Sequence, residues 1–181
     1  MRIVSGKYGS RKLESVPGQG TRPTADKVKG AIFSSLGNHF DGGRFLDCYS
    51  GTGNMALEAL SRGMDEVVCV DTSTKAIQTI KKNVAMLQVG AQCQIIRGNI
   101  FAVLDRLTKP FDLIYIDPPY AKQKNVMLIE QLCHHQLVKD TSIIVVESDE
   151  KDTFPEQIVD FVIWKTKTYR NTKITYYRKE N

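Results

Sequence analysis

Asp117-Pro118-Pro119-Tyr120 follows Phe111 to Ile116, an apolar run with the composition of a buried strand. Two prolines fix φ, remove two N–H donors and hold the preceding residue extended, so the loop is stiff. It presents the Asp117 carboxyl, the Pro118 carbonyl and the Tyr120 ring at the carboxyl end of a strand, with Pro119 bracing the turn. Open α/β sheets bind ligands at that end. Two hydrogen-bond acceptors beside a flat ring suit a planar base that carries an exocyclic amino group. The plainer alternative is a rigid turn with no chemistry.

A second constellation precedes it. Gly51-Thr52-Gly53-Asn54-Met55-Ala56 fits G-x-G-x-x-G/A between a strand and a helix, and Asp71 ends the next strand 20 residues after Gly51. That is the dinucleotide fingerprint. Asp47, at the end of the first strand, argues against a pyrophosphate, because like charges in one pocket are unfavourable. It suits a cationic ligand, and S-adenosylmethionine carries a sulfonium and an α-ammonium group. On this reading Asp47 accepts from the ammonium, and the Ser50 to Gly53 loop (Ser50, Gly51, Thr52, Gly53) approaches the methionine portion. Asp71, with Thr72 beside it, takes the ribose hydroxyls through two acceptor oxygens. Gly98-Asn99 meets the adenine edge. Asp47 reads equally as a buried strand-end cap, and Asn99 as the N-cap of a short helix.

These loops need a scaffold. Strands are expected at Arg44–Asp47, Glu66–Val70, Gln92–Arg97, Phe111–Ile116 and Ser142–Glu147. Helices are expected between them at Asn54–Arg62, Ser73–Leu87, Phe101–Leu107 and Val126–Leu137. Such alternation with nearly all-apolar strands implies a parallel sheet covered on both faces. Asp160–Tyr169 and Thr172–Arg178 read as an antiparallel hairpin, which brings the sheet to seven strands. Before the first strand, Thr24 is a plausible N-cap for a helix to about Leu36. Arg2–Ser5 and Arg11–Ser15 read as a small hairpin. The expected organisation is an N-terminal basic β-hairpin extension over residues 1–22 and a main domain over residues 23–181.

With 181 residues and 41% hydrophobic composition the chain can bury a sufficient core. Four cysteines without a Cys-x-x-Cys pair, and three histidines without ligand spacing, predict reduced thiols and no metal. The absence of a signal-peptide core or a membrane-length apolar run predicts a cytoplasmic protein. Net charge is +5, but residues 1–35 carry seven Lys/Arg against two acids and residues 165–181 carry six against one. The middle is acidic. Solvated surface segments are one reading; basic arms that attract a polyanion are the other. Arg2, Lys7, Arg11, Lys12 and Arg22 are then candidate contacts to that polyanion, which the resemblance given below implies is RNA. Arg22 also reads as ordering the loop over the cofactor.

Phe45 to Gly53, Val70-Asp71 and Asp117 to Tyr120 together resemble a class I S-adenosylmethionine-dependent methyltransferase acting on an amino group. Arg2-Ile3-Val4-Ser5-Gly6, Thr21-Arg22-Pro23-Thr24 with Asp26-Lys27-Val28, and Glu58 to Gly63 narrow the resemblance to the RsmD family of 16S ribosomal RNA guanine-N2 methyltransferases. It covers nearly the whole chain. It implies a Rossmann-like fold, S-adenosylmethionine as cofactor, ribosomal RNA or the small ribosomal subunit as partner, and a monomer that methylates a guanine N2. Its rivals are an adenine-N6 methyltransferase acting on DNA or RNA, a glutamine-directed protein methyltransferase, a non-catalytic RNA-binding module of the same fold, and an NAD oxidoreductase.

Overall fold

Strand β4 (Phe111–Ile116) has five of its six residues buried, as expected of a strand covered on both faces. β1 (Arg44–Asp47) and β2 (Glu66–Asp71) are of the same kind, whereas β3 (Cys93–Arg97), at the edge of the sheet, has no fully buried residue. The computed structural model, which describes residues 1–18, 25–119 and 123–180, assembles them into one sheet of order β3-β2-β1-β4-β5-β8-β7-β6. The first five strands pair parallel. β5 (Val138–Asp149), β8 (Thr172–Lys179), β7 (Phe161–Tyr169) and β6 (Gln157–Ile158) pair antiparallel. The sheet therefore has eight strands rather than seven. The extra one, β6, is two residues long, too short to carry an alternation legible in sequence. β5 also starts four residues earlier than expected, at Val138, because the polar run Lys139 to Thr141 gives no strand signal.

Alternation along the strands divides the core in two. Phe45, Cys69, Leu113 and Val145 face one cluster, under α1 (Asp26–Ser35), α2 (Asn54–Ser61) and α3 (Thr74–Leu87). Leu46, Val70, Ile114 and Val146 face the other, under α4 (Ile100–Val103) and α5 (Asn125–His134). The apolar stripe Ala76, Ile77, Ile80, Val84 and Leu87 explains why α3 lies on the sheet, and Ser73 caps it by accepting from the Ala76 amide at 3.2 Å. Leu57, fully buried on α2, is the kind of side chain whose loss to Ala costs about 2–5 kcal/mol.

All eight residues of α2 are buried, because the N-terminal segment covers the side that the sheet does not. That segment is a minimal hairpin. Only Arg2 and Lys12 form a bridge, although Ile3 N–H to Arg11 O and Ser10 N–H to Ile3 O continue the pairing. It lies on α2 through the Lys7 N–H to Ser61 O bond at 2.8 Å. At Gly6, φ is +92° and a Cβ would fall 2.0 Å from the Ser61 carbonyl oxygen, so only glycine permits this approach. Helix α1 begins at Asp26 with Ala25 as its N-cap residue and no side-chain cap. The expected cap, Thr24, lies outside the described residues, as do Thr21, Arg22 and Pro23.

At the far edge, Trp164 on β7 sits between two cations. Lys165 Nζ is 4.2 Å and the Arg178 guanidinium 4.6 Å from its ring centroid. The same Lys165 donates to Ser35 O at 3.0 Å, tying the hairpin to α1. Among the described residues no helix is long and apolar enough to cross a membrane.

Candidate active site

Strand order reverses between β1 and β4, the topological switch point where a crevice opens at the carboxyl ends of the strands. The glycine loop follows β1 and the Asp-Pro-Pro loop follows β4, so both constellations meet there. Register then aligns the acids. Asp47 pairs with Cys69 on one side and Tyr115 on the other, and Tyr115 pairs with Val145. Two residues further along, on the same face, stand Asp71, Asp117 and Glu147. Four adjacent strands thus each present one carboxyl to one face of the sheet's carboxyl edge.

Asp47 is 1% exposed, and its Oδ1 has no hydrogen-bond partner. Burial pushes its carboxyl up to about 7; a Tyr49 backbone hydrogen bond opposes this, and the Asp71 and Glu147 charges add to it. Asp117 is pushed well above the usual carboxylate range, first by burial and then by a hydrogen bond with Glu147 and the Glu147 and Asp47 charges. Glu147 Oε2 accepts from the Tyr115 hydroxyl at 2.7 Å. Among the described residues, no Lys or Arg forms an ion pair with Asp47, Asp71 or Asp117.

The glycine loop is held from several sides. The Ser50 N–H donates to Val70 O at 2.8 Å. Gly53, at φ +83°, is the N-cap residue of α2. Thr52 is buried, with its hydroxyl 3.4 Å from Met1 Sδ and its carbonyl accepting from Asn83 Nδ2 at 2.8 Å. Asp71 accepts from the Gly51 amide at 2.8 Å and the Ser73 amide at 2.9 Å, one on each oxygen. The carboxylate expected to receive two hydroxyls therefore also shapes the loop. Each oxygen retains a second lone pair. Thr72 is exposed beside it. Gly98 donates to Asp71 O at 2.9 Å, which keeps the end of β3 next to Asp71. Asn99 Oδ1 caps α4 by accepting from the Phe101 amide at 2.9 Å, and its amide nitrogen is left for other partners.

Pro118 is half-buried and Pro119 exposed; Tyr120 lies outside the described residues. Arg2, Lys7, Arg11 and Lys12 are all exposed on the N-terminal segment, which packs on the same face of the sheet as the four acids; Arg22 is not among the described residues. Glu147 is the site residue that the sequence did not single out. Its signal was its position at the end of an apolar strand, but only the register with β4 gives that position meaning. A separate cavity lies at the opposite edge of the sheet. It measures about 350 Å³ and is lined by Arg44, Glu66, Gln94 and Arg106, remote from both loops, and its Arg44–Glu66 pair is already neutralised.

Whether S-adenosylmethionine fits can be asked of this geometry. A buried Asp47 acceptor without a donor, beside Asp71 and Asp117, which form no ion pair with a described Lys or Arg, calls for a cationic ligand. A Cβ built on Gly51 meets nothing within 4 Å, so the loop faces open space rather than protein. The residues present fit the cofactor.

Comparison with known proteins agrees with this architecture. Residues 1–178 match the family described as "Conserved hypothetical protein 95". "Putative rRNA methyltransferase YlbH" of Bacillus subtilis is 39% identical over 182 residues, covering 99% of both chains. "Ribosomal RNA small subunit methyltransferase D" of Escherichia coli is 27% identical over 180 residues, covering 99% of this chain and 90% of its own. Among solved structures, "Putative methyltransferase yhhF from Escherichia coli" superposes with a TM-score of 0.86 at 28% identity, covering 99% and 98% of the two chains. The chain belongs to this family, the RsmD family, and has the class I methyltransferase fold.

Proposed function

We propose that this member of the RsmD family transfers a methyl group from S-adenosylmethionine to the exocyclic N2 amine of a guanine in small-subunit ribosomal RNA. The observation that carries the reading is the row of four carboxyls at the switch point, with a buried, unpartnered Asp47 oxygen beside an open glycine loop. The names of the relatives supply the ribosomal RNA.

When bound, S-adenosylmethionine supplies an electrophilic methyl group on a sulfonium. Asp47 would accept from its ammonium group and Asp71 from its ribose hydroxyls, while Ser50 to Gly53 line its path. Thr72, Gly98 and Asn99 border the adenosine end. Asp117 and the Pro118 carbonyl accept the two N–H groups of the amine, turning the nitrogen lone pair out of the ring plane. That interaction strengthens as the nitrogen becomes cationic, so it lowers the barrier as well as binding. Tyr120 stacks on the extruded base, and Pro119 keeps the loop from relaxing. Arg2, Lys7, Arg11, Lys12 and Arg22 hold the RNA backbone without choosing sequence.

Mapping modified guanines in ribosomal RNA from cells with and without this gene tests the reading. One N2-methylguanine should disappear from the small subunit RNA and return when purified protein and S-adenosylmethionine are added. Loss of N6-methyladenine instead would reassign the base, and an unchanged map would overturn the function.

A further inference from the structure

We infer that the C-terminal hairpin, β7 with β8, is a second RNA-binding surface. Its face on the side of the four acids holds the phosphodiester backbone beside the target guanine through Lys167, Arg170 and Arg178. The inference rests on the function proposed above, in which only N-terminal cations meet the RNA, and adds a contact on the other flank of the site.

The cations of the hairpin are sorted by face. On β8, Ile174 and Tyr176 belong to the core cluster under α1, α2 and α3, and Tyr177 to the other cluster. Lys173 and Lys179 lie on the Tyr177 side, and both are engaged. Lys173 donates to the Asp152 carbonyl; Lys179 pairs with Asp140 at 3.3 Å and lies 5.8 Å from the Phe161 ring centroid. Lys165, Lys167 and Arg178 lie on the Tyr176 side. Lys165 and Arg178 stack on Trp164, and Lys167 stands opposite Ile174 in register. With Arg170 at the turn they make four cations, and none forms an ion pair among the described residues. Lys165 is tethered to Ser35 O, while Lys167, Arg170 and Arg178 are exposed. Charges that only blunt the free edge of β7 would act in the plane of the sheet, with no reason to be engaged on one face and bare on the other.

Topology sets the bare face beside the site. β8 runs antiparallel to β5, so β7 ends and β8 begins at the carboxyl edge of the parallel strands. The Glu150 N–H to Asn171 O bond at 2.9 Å holds the turn there. Register carries the level of Glu147 through Ile174 on β8 to Lys167 on β7. Ile116 pairs with Val146, so Asp117 stands one strand away from Glu147 on the other side. Three strand spacings, about 14 Å, therefore separate Lys167 from Asp117. An RNA strand whose guanine is turned into the site passes over the hairpin within a few nucleotides. Arg170 has φ +56°, a conformation that hairpin turns usually fill with glycine or asparagine, yet an exposed arginine is kept. Asp149 and Glu150 stand beside the turn, and neither forms an ion pair with its cations among the described residues. The N-terminal segment packs on this same side of the sheet, so two basic surfaces bracket the acidic site.

The test measures RNA affinity against salt for Lys167→Ala with Arg170→Ala. Lys173→Ala with Lys179→Ala removes the same charge from the other face and serves as the reference. The probe is small-subunit ribosomal RNA, free or within subunits from cells lacking this gene, whichever the parent binds more tightly. The first variant should lower the slope of log affinity against log salt by about 1.4 units, about 0.7 per contact, and weaken binding about tenfold at about 0.15 M salt. Its S-adenosylmethionine affinity by calorimetry should match the parent. The second variant should change the slope by less than about 0.3 units. Lysine acetylation read by mass spectrometry reports on the unaltered protein: RNA should protect Lys167 and leave Lys173 and Lys179 as they were. Equal slopes in the two variants would reduce the hairpin to bulk attraction, and unprotected Lys167 would remove it from the interface; either result overturns the inference. Failure of the function itself has a different signature: the parent protein would methylate no ribosomal RNA, while binding and protection, which need no turnover, would still decide whether this face holds it.

Discussion

Two groups of buried charge lie on the same side of this sheet and are built on opposite plans. Between α1, α2 and the N-terminal segment, Lys29, Glu58 and Arg62 are nearly inaccessible. Glu58 Oε1 accepts from the Val4 amide at 2.8 Å and meets Lys29 Nζ at 3.1 Å; Oε2 accepts from the Ser5 amide at 3.1 Å and Arg62 Nε at 2.8 Å. Lys29 also donates to Arg2 O and Asn54 Oδ1, each at 2.6 Å. Every lone pair of Glu58 and every proton of Lys29 is in use. At the carboxyl edge of the strands, four acids gather instead, and one Asp47 oxygen has no partner. A cluster with both signs completes itself during folding. Asp47, Asp71 and Asp117, paired with no Lys or Arg among the described residues, store a cost that an incoming cation relieves, and that is the mark of a site rather than a staple.

The contrast can be broken from either side. The largest effect should come from Glu58→Ala, which strands two buried cations and two backbone amides. Removing one partner of a buried pair costs about 3–5 kcal/mol. At about 2–4 °C per kcal/mol for a domain of this size, calorimetry should show Tm lowered by roughly 6–20 °C. A smaller shift than this would mean that the network is not the staple described.

Asp47→Asn should act in the opposite direction. The Asp47 carboxyl rises from an unfolded value of 3.8 to about 7 on folding. Between those values the folded state holds a proton that the unfolded state has lost, so its contribution to stability falls as pH rises from about 4 to 7. Above pH 7 the variant should be more stable than the parent by up to about 4 kcal/mol, and the difference should vanish near pH 4, by denaturant melts at both pH values. The same variant should bind S-adenosylmethionine weakly. In the parent, affinity should fall as pH drops below about 7, where Asp47 takes a proton.

Asp117→Ala should reduce turnover about 10²–10³-fold, equivalent to about 2.7–4 kcal/mol, with S-adenosylmethionine binding preserved by calorimetry. Normal turnover would show the loop to be a rigid turn only. The smallest effects concern the exposed cations. Changing Arg2, Lys7, Arg11 and Lys12 together to Ala should weaken RNA binding and reduce the salt slope by about 3 units, with no change in Tm beyond about 2 °C. An unchanged slope would assign those charges to solubility.

Alternation of apolar strands with amphipathic helices made the five parallel strands and the C-terminal hairpin readable, because each element carries its own periodicity. β4 has the same ends in sequence and structure, and the helix over Phe101–Leu107 resolves into α4 followed by a 3₁₀ turn at Leu104–Arg106. The two loops of the site were readable because glycine and proline have few other uses at strand ends. Glu147 was not, since only strand pairing joins it to Asp117. Nor was the saturation of Glu58, whose partners come from residues 4, 5, 29 and 62. Lys29 contributes to the basic count of the N-terminal stretch, yet it is 0% exposed and unavailable to a polyanion.

The position of Trp164 has a practical consequence. It is the single tryptophan of the chain, held between two cations on the antiparallel edge and joined through Lys165 to α1. Its fluorescence emission therefore watches that edge alone, while ellipticity at 222 nm follows the helices. Release of the hairpin shifts emission to the red before the helices melt, whereas coincident curves mark the sheet as one cooperative unit.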